Sequence, residues 1–292
     1  MFSPTFTPTM HALLNIVHRH PKVAFLIGNG PNLAARIMPS WKDLLTSAAD
    51  RPITFAVDGL TNTEVYDLVE LHSEAGHDVK ARVKTKLELL PHYDLSLHRR
   101  LMNFAHQYEA PVLTTNFDAA FEQSIGADLF HVASKGFTRF YPWKSYYGFE
   151  QHRLPTDGFG IWKIHGDVRY KDSIRLGLTD YMGSAERARD LIHHGDDRLF
   201  QGKRQPYWQG HQTWLHIWFN LPIVIVGLGY GIDEVFLRWL LIERRRYLNL
   251  YREPMQVYYL SKDTPAPGVT NLLHNLGVEL VLVDDYSALY GE

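Results

Sequence analysis

The chain has no cysteine. That one absence excludes disulfides, thiol nucleophiles and cysteine-built zinc sites together. Net charge is also scarce. The 30 Lys and Arg residues against 32 Asp and Glu give a formal charge of -2, which argues against a non-specific grip on nucleic acid. Long hydrophobic runs are missing too. The most apolar stretch, residues 221–228, falls far short of the roughly 20 residues that a membrane-spanning helix needs. Residues 1–17 carry neither a basic leader nor an uninterrupted apolar segment, so the expectation is a cytoplasmic protein without membrane association. What the chain does have is apolar mass. At 45% hydrophobic and 21% charged residues it can build a sizeable core, and a single domain over residues 1–292 is expected.

The stretch that organises the rest is KVAFLIGNGPNL, Lys22 to Leu33. The run Val23 to Ile27 reads as a buried parallel strand that breaks into a tight Gly28-Asn29-Gly30 turn. Such a turn lets backbone N–H groups approach an anion, because no Cβ stands in the way. A helix starting just after it adds its positive end. We read the turn as the phosphate cradle of a dinucleotide site, with Leu33 in place of the third glycine of the usual fingerprint.

Further strands are expected at 112–115, 161–164, 222–226, 257–260 and 278–283, and one at 53–58 (ITFAVD) that would end in Asp58 like a dehydrogenase's ribose-binding acid. Helical spacing marks 9–17, 41–49 capped by Ser40, 119–125, 179–220 in two pieces, 234–248 and 269–276. Residues 61–108 read as a helical insertion and 128–160 as an irregular, aromatic-rich segment whose rings fold onto the core. Strands alternating with helices predict an α/β fold, a doubly wound parallel Rossmann-like sheet.

In such a sheet ligands sit beyond the carboxyl ends of the strands. Four strand ends carry notable groups: Gly28-Asn29-Gly30, Asn116-Phe117-Asp118, His165-Gly166-Asp167 and Gly227-Leu228-Gly229-Tyr230-Gly231. On the residues alone, the glycine segments also read as plain turns. Asn116 and Asp118 also read as an Asx turn or helix cap, and Asp233 as the cap of the helix it precedes. Arg244-Arg245-Arg246 reads as a solvated helix face, and no histidine pair has convincing metal spacing.

Taken in order, the four strand ends resemble the sirtuin superfamily. The GNG turn is similar to that family's first glycine turn. Thr115-Asn116-Phe117-Asp118 is similar to its Thr-Gln-Asn-Ile-Asp signature, His165-Gly166 to its catalytic His-Gly, and Gly227-Leu228-Gly229 to its second ribose-contacting turn. The four cysteines of the deacylases' zinc module have no counterpart, so the chain looks more like the zinc-free sirtuin-like proteins of bacterial anti-phage systems. The resemblance implies NAD as substrate, with no metal. It implies Asn116 and His165 as catalytic residues, and Gly28, Asn29, Gly30, Asn32, Thr115, Asp118, Gly227, Gly229 and Ser261 as cofactor-binding ones.

That set suits hydrolysis of the nicotinamide–ribose bond. Nicotinamide in NAD is already a cationic leaving group, so no general acid is required, only a fixed ribose, a charge-stabilising pocket and a positioned water. The Asn116 amide both donates and accepts, and the His165 imidazole takes up a proton near neutral pH. The expected activity is therefore NAD glycohydrolysis by an abortive-infection effector. A separate sensor or regulatory subunit, a homo-oligomer, or both would restrain it. The alternatives are a non-catalytic NAD- or ADP-ribose-binding regulatory subunit, then an NAD-dependent dehydrogenase or a protein deacylase.

Overall fold

A computed structural model describes residues 9–88, 92–133, 142–201, 206–231, 233–252 and 255–284. Its centre is a sheet of strands β1 (Ala24–Ile27), β2 (Val112–Thr114), β3 (Asp128–His131), β4 (Ser145–Gly148), β5 (Ile161–Lys163), β6 (Ile223–Val226), β7 (Val257–Ser261) and β8 (Val278–Leu282). The spatial order is β3-β4-β5-β2-β1-β6-β7-β8. The run from β5 to β8 is parallel, and β3 and β4 form an antiparallel pair on one edge. The chain winds outward from β1 in both directions, the doubly wound order in which a crevice opens beside the first strand.

Short apolar runs become strands here because both faces of the sheet are covered. All four residues of β1 are buried. Ala24 and Leu26 enter one core with Trp218 and Leu237, whereas Phe25 and Ile27 enter the opposite core with Leu101 and Met102. Helices α1 (Thr9–Arg19), α6 (Ser96–Gln107) and α7 (Ala120–Ile125) serve the second face. The first is covered by α8 (Leu178–His193), α9 (Trp214–Asn220) and α10 (Val235–Tyr251), while α11 (Pro267–Asn275) packs beside β8.

A third apolar cluster lies over the carboxyl ends of β2 and β5. It joins α3 (Trp41–Ser47), α4 (Asn62–His72) and α5 (Val79–Lys86) to Phe117, Ala120, Ile174 and Leu176. Local chemistry starts these helices firmly. Ser40 Oγ accepts from Asp43 N at 3.2 Å, and Thr61 and Glu64 form a reciprocal capping box. The helical insertion is therefore a cap of α4 and α5 added to α3, while α6 is the crossover helix from β1 to β2.

The structure departs from the sequence reading in several places. Residues 53–58 form no strand. Ile53 and Val57 lean on the cap cluster, and both flanks of β1 are already taken by β2 and β6. The exposed Asp58 carboxylate pairs instead with Lys42 at 3.2 Å, so the acid expected of a dehydrogenase is not at a strand end. Within 128–160, β3 and β4 replace the irregular segment. Trp143, Tyr146 and Tyr147 are buried, Phe149 is half exposed, and Phe137, Phe140 and Tyr141 lie outside the described residues. Helix α8 starts at Leu178 after Gly177, one residue before the expected cap Thr179. Residues 208–213 are turns ahead of α9. Arg244 is not solvated: its guanidinium is buried against the carbonyls of Trp218 and Leu221, because it shares a helix face with Leu240, Leu241 and Leu248.

Candidate active site at the strand ends

Strand register places the candidate residues. Ile27 pairs with Thr114 and with Val226, and Thr114 pairs with Lys163, so these four residues form one row across four strands. Gly28 and Gly227 follow that row by one position. Asn116 and His165 follow it by two, on neighbouring strands. Ser261 ends β7, where its hydroxyl donates to the Asp263 carbonyl at 2.7 Å. The fold thus brings every predicted site residue to one rim, although not all to one cavity.

The two glycine turns abut one another. Gly28 N donates to Val226 O at 3.1 Å and Gly30 N to Gly227 O at 2.8 Å. A Cβ on Gly28 would stand 2.7 Å from Gly227 O, so this glycine is needed for the contact between turns. Gly227 itself has φ +62°, a left-handed conformation that suits glycine, whereas Gly229 has open space around it. Two N–H groups of the expected phosphate cradle are thereby engaged by the β6 turn.

Behind the first turn lies a buried polar chain that runs through α2 (Gly30–Ala34). The Asn32 amide nitrogen donates to Asn29 Oδ1 at 2.9 Å and to Asp118 Oδ2 at 2.7 Å. Both amide hydrogens are then used, so Asn32 Oδ1 is the acceptor for His98 Nε2 at 2.8 Å, and His98 carries its proton on Nε2. Burial pushes the His98 imidazole down to about 4, against the fields of Asp118 and Asp94. Asp118 Oδ1 accepts from Ala120 N at 2.9 Å, which starts α7. Asn32 and Asp118 therefore brace the first turn against the second strand end. The sequence reading did not include His98, and only its place on the apolar face of α6 marks it.

A cleft opens between the cap and the sheet rim, with about 50 Å³ of free volume. Thr115, Phe117 and His165 line it from β2 and β5, Tyr181 from α8, and Asp233 and Glu234 from the entry to α10. Trp41 closes it from the cap, edge-on to Phe117 with ring centroids 5.2 Å apart. Asn116 itself is not among the lining residues, but its neighbours on both sides are.

Two features single out this rim. Asn116 is 1% exposed, and neither its amide oxygen nor its amide nitrogen has a hydrogen-bond partner. His165 is 3% exposed, and its buried Nε2 is also without one. Buried polar atoms are almost always paired, so orphans on adjacent strand ends make this rim a candidate site. Glu234 Oε2 stands 3.7 Å from His165 Nε2. The His165 carbonyl accepts from Arg175 N, and Gly166 makes the sharp turn after it with φ +114°. Burial, then the Glu234 carboxylate, holds the Tyr181 phenol well above its ordinary range, so it stays neutral beside the imidazole.

Asp233 does not cap the helix it precedes. Its carboxylate accepts from Asn62 N at 3.1 Å and faces Asn62 Nδ2 at 3.4 Å, so it caps α4 across the cleft. Below the rim, Lys163 pairs with Glu122 at 3.0 Å, and both are buried. Burial works to lower the Lys163 pKa, but Glu122, Asp167 and Asp118 outweigh it and the net direction is up; burial pushes Glu122 up to about 7. Among the described residues no group of three or more metal-binding side chains occurs.

A family of known proteins covers part of this rim. Residues 111–204 match the SIR2-like domain. The match runs from the entry to β2 past the end of α8, so this SIR2-like segment contains Asn116, Asp118 and His165. It supports a relationship to the sirtuin-like superfamily and an NAD-related function. Among curated proteins none matches the chain.

Proposed function

We propose that this protein is an NAD glycohydrolase that cleaves the nicotinamide–ribose bond to give nicotinamide and ADP-ribose. The observation that carries the reading is the pair of unpartnered buried groups, the Asn116 amide and the His165 imidazole, two residues past paired positions on adjacent parallel strands. A ribose hydroxyl and a water are the partners that the Asn116 amide lacks. Asn116 holds both, because its amide donates and accepts. His165 takes the proton that the attacking water gives up. In the same reading the Gly28–Gly30 and Gly227–Gly229 turns face the pyrophosphate and adenosine ribose. Asn32 and Asp118 keep the first turn in place, Thr115 lines the nicotinamide side, and Ser261 closes the adenosine end.

The absence of cysteine leaves no zinc module of the deacylase type. This favours hydrolysis by an effector of a bacterial anti-phage system, held inactive by a partner protein or by its oligomeric state until infection. Incubating the pure chain with NAD and measuring free nicotinamide tests the activity. Asn116→Ala and His165→Ala are each expected to abolish release while the protein stays folded. Full turnover in both variants overturns the site. No release by the wild-type chain, alone or with its candidate partners, overturns the function and leaves the NAD-binding regulatory reading.

A further inference from the structure

The strongest unassigned feature of the rim is a carboxylate. Glu234 lines the same cleft as His165 and places Oε2 3.7 Å from the buried, unpartnered Nε2. It stands just before α10, yet its side chain makes no cap hydrogen bond to that helix. Capping, the usual structural duty of an acid in that position, is therefore not what holds it there. It is one-fifth exposed.

We infer that Glu234 is a positioning residue for His165, an inference that rests on the glycohydrolase reading above. At 3.7 Å the carboxylate is beyond hydrogen-bond reach and acts through its charge, which favours the ring proton on the near nitrogen, Nε2, and leaves the lone pair of Nδ1 as the acceptor. The same carboxylate stabilises the imidazolium once the proton has arrived. The step balances as follows. The water oxygen bonds to C1′ of the ribose while the C1′–N bond to nicotinamide breaks. That bond's electron pair leaves with nicotinamide, which becomes neutral. The water proton passes to His165 Nδ1, and the resulting cation faces Glu234. No oxidant or metal enters the balance.

The other ionisable groups around the imidazole do not supply this duty. From α8, the Tyr181 phenol packs edge-on to the ring and remains neutral, and Asp180 pairs with Lys80 at 2.9 Å and Arg175 at 3.5 Å. From the entry to α10, Asp233 is turned toward Asn62. Phe236 is apolar, and the cap contributes Trp41 and Thr63.

The test uses the full chain with isotope-labelled histidine, with His165 assigned by loss of its signal in His165→Asn. Nitrogen shifts report which ring atom carries the proton. Wild type is expected to carry the proton on Nε2. In Glu234→Gln, which keeps an acceptor but removes the charge, a larger share of the ring proton is expected on Nδ1. Nicotinamide release should then fall about 10- to 100-fold in kcat with KM little changed. Glu234→Asp should recover part of the loss. A wild-type ring protonated on Nδ1, or an unchanged ring-proton distribution in Glu234→Gln, overturns the role of Glu234 even if NAD is hydrolysed. Should wild type release no nicotinamide, the glycohydrolase reading fails by itself, and the ring-nitrogen readout still decides whether Glu234 governs His165.

Discussion

Protonating His98 is expected to cost the fold about 2 kcal/mol at pH 4.5. In the native state its Nε2–H is spent on Asn32, its Nδ1 is buried without a partner, and the imidazole is held at about 4. A second proton would place a charge and an orphan N–H in the core. An unfolded histidine titrates near 6.5, so between the two values the unfolded chain binds more protons and stability falls with acid. The contribution is fully present above about pH 6.5 and is lost as the pH drops toward about 4. Integrating from pH 7 to pH 4.5 gives roughly 2 kcal/mol. Carboxylates titrate in the same window, so the informative quantity is the difference from a variant that cannot titrate. Glutamine at position 98 can still donate to Asn32 Oδ1. Urea unfolding at the two pH values should show wild type losing about 2 kcal/mol more than His98→Gln. Equal losses in the two proteins would refute the neutral, Nε2-protonated histidine, and with it the hydrogen-bond directions given for Asn32 and Asp118.

Other outcomes follow from the same geometry. Gly166→Ala should lower stability by about 3 kcal/mol or more, since φ is +114° and a Cβ there would overlap the Ser173 carbonyl; a thermal midpoint equal to wild type would contradict it. Asn116→Ala should unfold no earlier than wild type, because the amide it removes is buried and unpaired; a loss above about 2 kcal/mol would mean that the amide serves the fold. Asp233→Ala removes the acceptor at the start of α4 and should cost about 1 kcal/mol, seen as faster amide exchange at residues 62–65; unchanged exchange there would exclude the cap across the cleft.

Much of the scaffold could be read from local pattern, and the reasons differ by element. β1 and β6 are apolar on both faces because helices cover the sheet on both sides, and uninterrupted runs ending in glycine announce that burial. ITFAVD misled because alternation reports contact with a core rather than pairing with a neighbour. Ile53 and Val57 do face a core, but among the described residues no strand lies beside them. The β3–β4 hairpin was hidden by the distance between its halves, although Phe130, Tyr146 and Tyr147 are good strand formers. The placement of Asn116 and His165 on neighbouring strand ends was legible because the apolar runs before them mark where the strands stop. The approach of Glu234 to His165 and the buried link from His98 to Asn32 were not, since each joins residues tens of positions apart. Asp233 shows the same limit: its chemistry was read correctly as a cap, but its helix was not.

The seam between the cap and the sheet is held by polar links. Asn62 with Asp233, Lys80 with Asp180, and Asp67 with the Leu178 amide tie the two together. Such links exchange readily with water, whereas the apolar cluster behind them does not, so mild denaturant should loosen the cap along this edge before the sheet itself melts.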